Sequence, residues 1–439
     1  MIHLANILIA ADDAILAQGL VQQIRRHGYE GHAAHNLDAA LVAARRERPD
    51  LILIEASADG AAALALAEQL KAAPECAEIP VCLLASERSP ALKARAFAAG
   101  LDDVLSPPLD ENKLVARLRP LARLAIMHAE LHRRAAVARR FGVAIDETLP
   151  PTEVDAGCPI LVVGCGGPEI AGALSGRNVS LAADPFEANE LLERDNFDAA
   201  VVLPAEAPTA YLDLCAHIRN NPRLFNLPVL VVAEPERMDE ATAYRHGASG
   251  FFLRPVDPAE LQIAVNTLVR RQRRRWMIRE ALGRTLQPAT RDAGTGLYNR
   301  PFVDAYLADR VAFCAAHARH LSVAFFRAPD IDGVRHHFGE EQAEHLRLQV
   351  AQWIAGLLRA EDLTARYEDN EFCVLLPDTP KEEAEIVMHR IAGVLAYTDF
   401  AVKDVYQPVK VWARVGAADL RPDDTVATLV ARARRDIVS

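Results

Sequence analysis

The sequence predicts an α/β protein of three domains: two doubly wound parallel sheets in tandem, then an α/β domain around a mixed sheet. Three observations predict it. Short β-branched runs alternate with alanine-rich amphipathic stretches early in the chain, the pattern of parallel strands joined by right-handed crossovers. The same series of runs recurs in the middle of the chain, which marks an internal duplication. The last third breaks the alternation with a hairpin-like segment set among long helical stretches.

In the first repeat, Ile7-Leu8-Ile9, Leu51-Ile52-Leu53-Ile54, Val81-Cys82-Leu83-Leu84 and Val104-Leu105 read as buried strands. Ala14 to His27 has helical spacing and stops at Gly28. In the second repeat, Ile160 to Val163, Ala199 to Val202, Val229 to Val232 and Phe251 to Leu253 take the same places. Both repeats close on an apolar residue, one further residue and proline, as Leu105-Ser106-Pro107 and Leu253-Arg254-Pro255. Long helices are expected over Leu114 to Phe141, with Pro120 inside, and over Pro258 to Leu286. The basic run Arg270 to Arg275 on the second helix reads as a solvated face.

From about Asp292 the pattern predicts helices over Arg300 to Ala318, Glu340 to Arg359 and Lys381 to Ala396. Strands are expected at Leu321 to Phe326 and Val409 to Val415, with a hairpin over Thr364 to Leu376 and a short terminal helix. The expected domains are therefore 1–140, 151–288 and 289–439.

The 439 residues carry a net charge of −11, which argues against non-specific nucleic-acid binding, since that needs a basic surface to displace counterions. No helix-turn-helix follows the repeats. No apolar run approaches the ~20 residues that span a bilayer, and no signal peptide is visible, so a cytoplasmic protein without membrane insertion is expected. Seven cysteines without a C-x-x-C pair read as small buried hydrophobes in a reducing compartment.

The two repeats resemble response-regulator receiver domains, which implies the flavodoxin-like fold. A receiver needs an acidic pair for Mg²⁺, an aspartate that accepts phosphate, a hydroxyl and a lysine. The first repeat has Asp12 and Asp13, but Glu55 at the acceptor position, Ala85 at the hydroxyl position and Pro107 at the lysine position. Phosphotransfer is expected to be lost there. The second has Gly164 and Cys165 for the acidic pair, Leu203 for the acceptor and Ala233 for the hydroxyl, with only Arg254 as a cation. It reads as an adaptor or dimerisation surface.

The third domain resembles the GGDEF domain of diguanylate cyclases. Asp292-x-Gly-Thr-Gly-Leu-Tyr-Asn-Arg300 matches the opening of that family, and Arg366-Tyr367-Glu368-Asp369-Asn370-Glu371-Phe372 stands where it has R-Y-G-G-D/E-E-F. The flanks agree and the centre departs. Glu368 and Asp369 replace glycines that let backbone approach phosphate, and one like-charge contact near 4 Å costs about 4 kcal/mol at an effective dielectric of about 20. The resemblance puts metal carboxylates at Arg327 and Asn370 and a guanine-reading asparagine at Arg335, leaving Glu344 and Glu371 as carboxylates. Mg²⁺ demands oxygen ligands, so no metal and no cyclase activity are expected, and the family's closing lysine-bearing segment is expected to be cut short.

The resemblance also implies a product-binding site, R-x-x-D, five residues ahead of the signature. Arg359-Ala-Glu-Asp362 has that offset, although the same spacing occurs at Arg254–Asp257, Arg366–Asp369 and Arg421–Asp424. An arginine can read guanine O6 and N7 in bidentate fashion, and a carboxylate can accept from its N–H edge. Arg390 is expected to supply a further guanidinium. The domain order resembles receiver–receiver–GGDEF response regulators, and the losses resemble a degenerate paralogue within them. The expectation is a cyclic di-GMP receptor that needs no metal, forms a homodimer through its receivers, and acts at a cell pole as an adaptor for partners in regulated proteolysis of a cell-cycle regulator. A scaffold that ignores cyclic di-GMP, and a residual cyclase, are the alternatives.

Overall fold

The computed structural model describes residues 5–56, 59–87, 89–107, 109–150, 157–205, 208–221 and 223–438. The first domain runs β1 (Asn6–Ala10), α1 (Ala14–Arg26), β2 (Glu30–Ala34), α2 (Leu37–Glu47), β3 (Leu51–Ala56), α3 (Ala61–Ala72), β4 (Val81–Ala85), α4 (Pro90–Ala98), β5 (Asp103–Leu105) and α5 (Glu111–Arg140). Its sheet is parallel, in the order β2-β1-β3-β4-β5. Strands β3 and β4 are apolar almost throughout because helices cover both faces of such a sheet.

The second domain runs β6 (Pro159–Val163), α6 (Gly167–Ala173), β7 (Asn178–Ala182), α7 (Pro185–Arg194), β8 (Ala199–Val202), α8 (Pro208–Asn220), β9 (Val229–Ala233), α9 (Glu240–Arg245), β10 (Gly250–Leu253) and α10 (Pro258–Arg284). Its order, β10-β9-β8-β6-β7, is that of the first domain read from the other edge. The third domain has α11 (Arg300–His317), β11 (Leu321–Arg327), α12 (Asp330–Phe338), α13 (Glu340–Gly356), β12 (Leu363–Glu368), β13 (Glu371–Pro377), α14 (Lys381–Tyr397), β14 (Arg414–Asp419) and α15 (Val426–Val438). Its four strands, expected to form a mixed sheet, pair antiparallel throughout in the order β12-β13-β11-β14.

Strands β2 and β7, partly exposed edge strands, are additions to the four expected in each repeat, and four further expectations change. Helix α13 ends at Gly356 rather than Arg359, because Leu357 and Leu358 turn onto the core instead of continuing. The last strand begins at Arg414, and Val409 makes only an isolated bridge to Phe400, since the Trp412 N–H donates to the Asp330 carboxylate instead of to a ladder. Helix α12 is an addition: its polar surface hid a nine-residue helix anchored by buried Ile331 and Val334. The basic run on α10 is partly consumed in ion pairs, Arg271 with Asp103 at 3.4 Å, Arg273 with Asp198 at 3.2 Å and Arg274 with Glu78 at 3.9 Å. Six of the seven cysteines are buried and Cys165 is exposed.

The chain packs as two compact units. One joins Ala5–Ala125 to Leu149–Met277, so both sheets of the tandem repeat share it. Inside this unit the α4–β5–α5 face of the first domain meets the corresponding face of the second. Lys113 pairs with Glu240 at 3.0 Å and Lys93 with Glu260 at 3.8 Å, while the Arg123 guanidinium lies 4.8 Å from the Phe225 ring. At the centre is Asp103, fully buried, which takes Arg117 and Arg271 together. A homodimer through the receivers therefore has to use other faces than these.

The other unit joins Ile126–Thr148 to Ile278–Ser439. The last turns of α5 thus belong with the third domain rather than with the first, whose expected limit was residue 140. Glu130, with no exposure, accepts from the Tyr306 hydroxyl and sits 3.6 Å from Arg310 and 2.9 Å from Arg133. Burial alone would push this carboxyl up, but the guanidinium groups of Arg310, Arg133 and Arg134 outweigh it and hold it low. Val137 and Ala138 join Phe302, Tyr306 and Leu307 of α11 in one apolar cluster.

Burial likewise opposes the charge of Asp103, and Arg117 and Arg271 overcome it, so its carboxyl lies below the ordinary range. Its contribution is present above the unfolded carboxylate pKa and is lost as pH falls through the lowered folded value. Asp103→Ala leaves buried guanidinium uncompensated and is expected to cost about 3–5 kcal/mol in the unfolding of the receiver pair, measured by urea denaturation. A cost under about 0.5 kcal/mol, the level of a surface change, refutes the account of this cluster.

Candidate functional site

The signature hairpin is built by β12 and β13, paired from Leu363↔Leu375 to Glu368↔Glu371, with a register shift between Arg366 and Glu368. Asp369 and Asn370 form its tip. Tight hairpin turns usually require positive φ and hence glycine. Neither tip residue is among the described residues with positive φ, so this turn closes without glycine. The opening motif braces it. Asp292 accepts from the Thr295 N–H at 2.9 Å and hydroxyl at 2.8 Å, and from Arg366 at 3.2 Å; Arg366 also donates to Asp369 at 2.9 Å.

The acidic side chains of the tip are all taken up by arginines of this chain. Glu368 pairs with Arg434 at 2.9 Å and Arg300 at 3.8 Å. Asp369 meets Arg366 and, at 3.8 Å, Arg335, which also holds Asp332 at 2.6 Å and Glu340 at 2.7 Å. The Asp369 carbonyl accepts from Arg347 at 2.8 Å, and the Asn370 carbonyl from Ala328 N–H at 2.9 Å. Asn370 donates its amide to Asp332. Glu368 and Asp369, expected to repel phosphate, thus each have arginines of this chain within 4 Å, with Arg335 shared among Asp332, Glu340 and Asp369.

Arg327 stands in register with Glu371 on one side and Arg414 on the other. Glu371 is 3% exposed, and burial pushes its carboxyl pKa up while Arg434, at 2.6 Å, draws it down. The donor set at the metal positions is thus a guanidinium, an amide and a carboxylate already paired. It does not fit Mg²⁺, which needs several free oxygen ligands. Glu344 is exposed on α13, apart from these pairs.

Arg359 and Asp362 are brought together by a turn. Asp362 Oδ2 accepts from the Arg359 backbone N–H at 2.9 Å, and the Asp362 N–H donates to the Arg359 carbonyl at 3.2 Å. Arg421 and Asp424 repeat this geometry at 2.8 and 3.1 Å. The R-x-x-D spacing is therefore first of all a turn that its aspartate closes. Asp362 is buried at 8% exposure, whereas Arg359 and Arg390 are exposed, and among the described residues neither guanidinium is held in an ion pair. Residues that sequence reasoning missed are Arg434, Arg347 and Arg134. Only Arg347 left a signal, a charge within the apolar stripe Ala343, Leu346 and Val350 of α13.

In the first receiver Asp13 caps α1 through the N–H groups of Ile15 and Leu16, and Glu55 accepts from the Asp13 N–H at 3.4 Å. In the second, a Cβ at Gly164 would lie 2.3 Å from the Leu203 carbonyl and one at Gly166 2.5 Å from the Arg254 guanidinium, while Cys165 is exposed.

The receiver domain family of response regulators matches residues 7–119, and the diguanylate cyclase GGDEF domain family matches residues 289–438. The chain carries a receiver domain and a GGDEF domain. Over 443 aligned residues it is 27% identical to the response regulator PleD of Caulobacter vibrioides (strain NA1000 / CB15N), covering 98% of this chain and 95% of PleD. The phosphate regulon transcriptional regulatory protein PhoB of Pseudomonas aeruginosa is 30% identical over 118 residues, 27% of this chain and 52% of PhoB. The structure of the DgcB GGDEF domain from Caulobacter crescentus in complex with c-di-GMP covers 34% of this chain and 84% of that chain, at 19% identity and a TM-score of 0.32.

Arg434 offsets part of the rise in the Glu371 carboxyl, so Arg434→Ala is expected to move that pKa further up, read by NMR titration of the side-chain carboxyl carbon. An unchanged or lower value contradicts the pairing described here.

Proposed function

We propose that the chain is a cyclic di-GMP receptor and not a cyclase, with Arg359, Asp362 and Arg390 serving the ligand. The observation that carries this reading is the contrast between two parts of one domain. The catalytic positions are closed by Arg327 and by intramolecular ion pairs. Arg359 and Arg390 keep exposed guanidinium groups, and a guanidinium suits both a guanine edge and a phosphate. Phosphoryl transfer needs metal to neutralise developing charge, and the donor set at Arg327 and Asn370 offers none a place. DgcB has a GGDEF domain solved with c-di-GMP and PleD is a response regulator; on this reading the present chain keeps ligand recognition and regulatory architecture while dispensing with synthesis.

The receptor acts as an adaptor, at the cell pole and for partners in cell-cycle-regulated proteolysis. Among the described residues no helix is long and apolar enough to cross a membrane. The turn shared by Arg359–Asp362 and Arg421–Asp424 favours a second reading, a scaffold that ignores the dinucleotide.

Calorimetric titration separates these. Cyclic di-GMP is expected to bind wild type in the submicromolar to micromolar range and Arg359→Ala at least ten-fold more weakly. Wild type incubated with GTP and Mg²⁺ is expected to give no cyclic di-GMP. Absence of binding at millimolar ligand favours the scaffold, and formation of product overturns the receptor reading.

A further inference from the structure

The turn that carries Arg359 and Asp362 is gripped from within the domain. Arg134, on the last turns of α5, donates to the Glu361 carbonyl at 2.5 Å. Its guanidinium is 3% exposed, lies 5.9 Å from the centre of the Tyr298 ring and stands 3.9 Å from Glu130. Burial works against this charge, but Tyr298, Tyr306 and Glu130 outweigh that effect and keep it firmly protonated. Glu130 is fixed in turn by Tyr306, Arg133 and Arg310, and Arg310 reaches Asp378 at 3.9 Å. Glu361 is itself buried, at 4% exposure.

We infer that Arg134 is a positioning residue for the ligand-binding turn, and that cyclic di-GMP at this turn is thereby coupled to the segment Ile126–Arg140. The inference rests on the receptor reading above. Glu361 lies between the two residues that serve the ligand, so a hydrogen bond to its carbonyl fixes the peptide plane entering Asp362. That plane sets where the Asp362 N–H, bonded to the Arg359 carbonyl, can lie. A hydrogen bond from a charged donor to a buried carbonyl is among the stronger kinds, and losing it leaves the carbonyl without its donor. Coupling is reciprocal. If the gripped turn binds ligand better, bound ligand strengthens the grip by the same factor.

Two measurements on the full chain test this. Arg134→Met, which keeps the bulk of the side chain and removes its donors, is expected to weaken cyclic di-GMP binding about ten-fold. Arg219→Met removes an arginine of the other unit, which donates to the Gly247 carbonyl at 2.8 Å and the Leu227 carbonyl at 2.7 Å, and is expected to lower thermal stability while leaving affinity within two-fold. In wild type, which carries no risk of misfolding, saturating cyclic di-GMP is expected to slow amide exchange at both Arg359–Asp362 and Ile126–Arg140. Wild-type binding with slowing confined to the turn overturns the inference, as does equal weakening by Arg134→Met and Arg219→Met. Absence of wild-type binding instead defeats the receptor reading, so the two failures are distinct.

Discussion

Glu130 is a carboxylate with no exposure, and the C-terminal unit is organised around keeping it charged. Stripping such a group of water costs several kcal/mol, recovered only with good geometry and several donors. Tyr306, Arg133, Arg134 and Arg310 supply them. The consequences spread outward. Arg310 fixes the end of α5 against α11, Arg134 reaches the turn ahead of β12, and Val137 and Ala138 complete the apolar cluster beneath the sheet. The last turns of α5 are thus part of the C-terminal unit's core and not a tether to it.

The signature hairpin follows the same economy of charge. A nucleotide site would hold acidic groups together by filling the space between them with metal and hold phosphates by presenting bare backbone. Here guanidinium groups from α11, α12, α13 and α15 do the first task, and the backbone carbonyls of the tip are committed to Arg347 and Ala328. Arg434 is the clearest case, since it bridges Glu368 and Glu371 from the last helix. Each acidic side chain of the tip has an arginine of this chain within 4 Å.

Much of the fold was legible because buried parallel strands write themselves as β-branched runs, and two such series in a row are hard to mistake. Arg327 and Asn370 stood out because a guanidinium and an amide occupy positions where the resemblance implies carboxylates, and Glu55 because it is one methylene longer than the aspartate the resemblance implies. What escaped had physical reasons. Helix α12 shows little apolar periodicity, with only Ile331 and Val334 facing inward. The end of α13 was misplaced because Leu357 and Leu358 look helical but pack inward past the last turn. The role of Arg134 depends on a partner 227 residues away, which no local pattern records. The R-x-x-D spacing was legible as a motif but not as a turn, and only the matching geometry at Arg421 and Asp424 reveals what its aspartate does first.

The facing of the two receivers has a consequence for how this molecule assembles. Many proteins bring such modules together only when enough copies are present, so that pairing reports abundance. Here the pair is made by one polypeptide, joined through Asp103, Arg117 and Arg271, and its effective concentration is set by the connecting chain. Dilution leaves that pairing intact, and the receiver pair behaves as a single body whether one molecule is present or many.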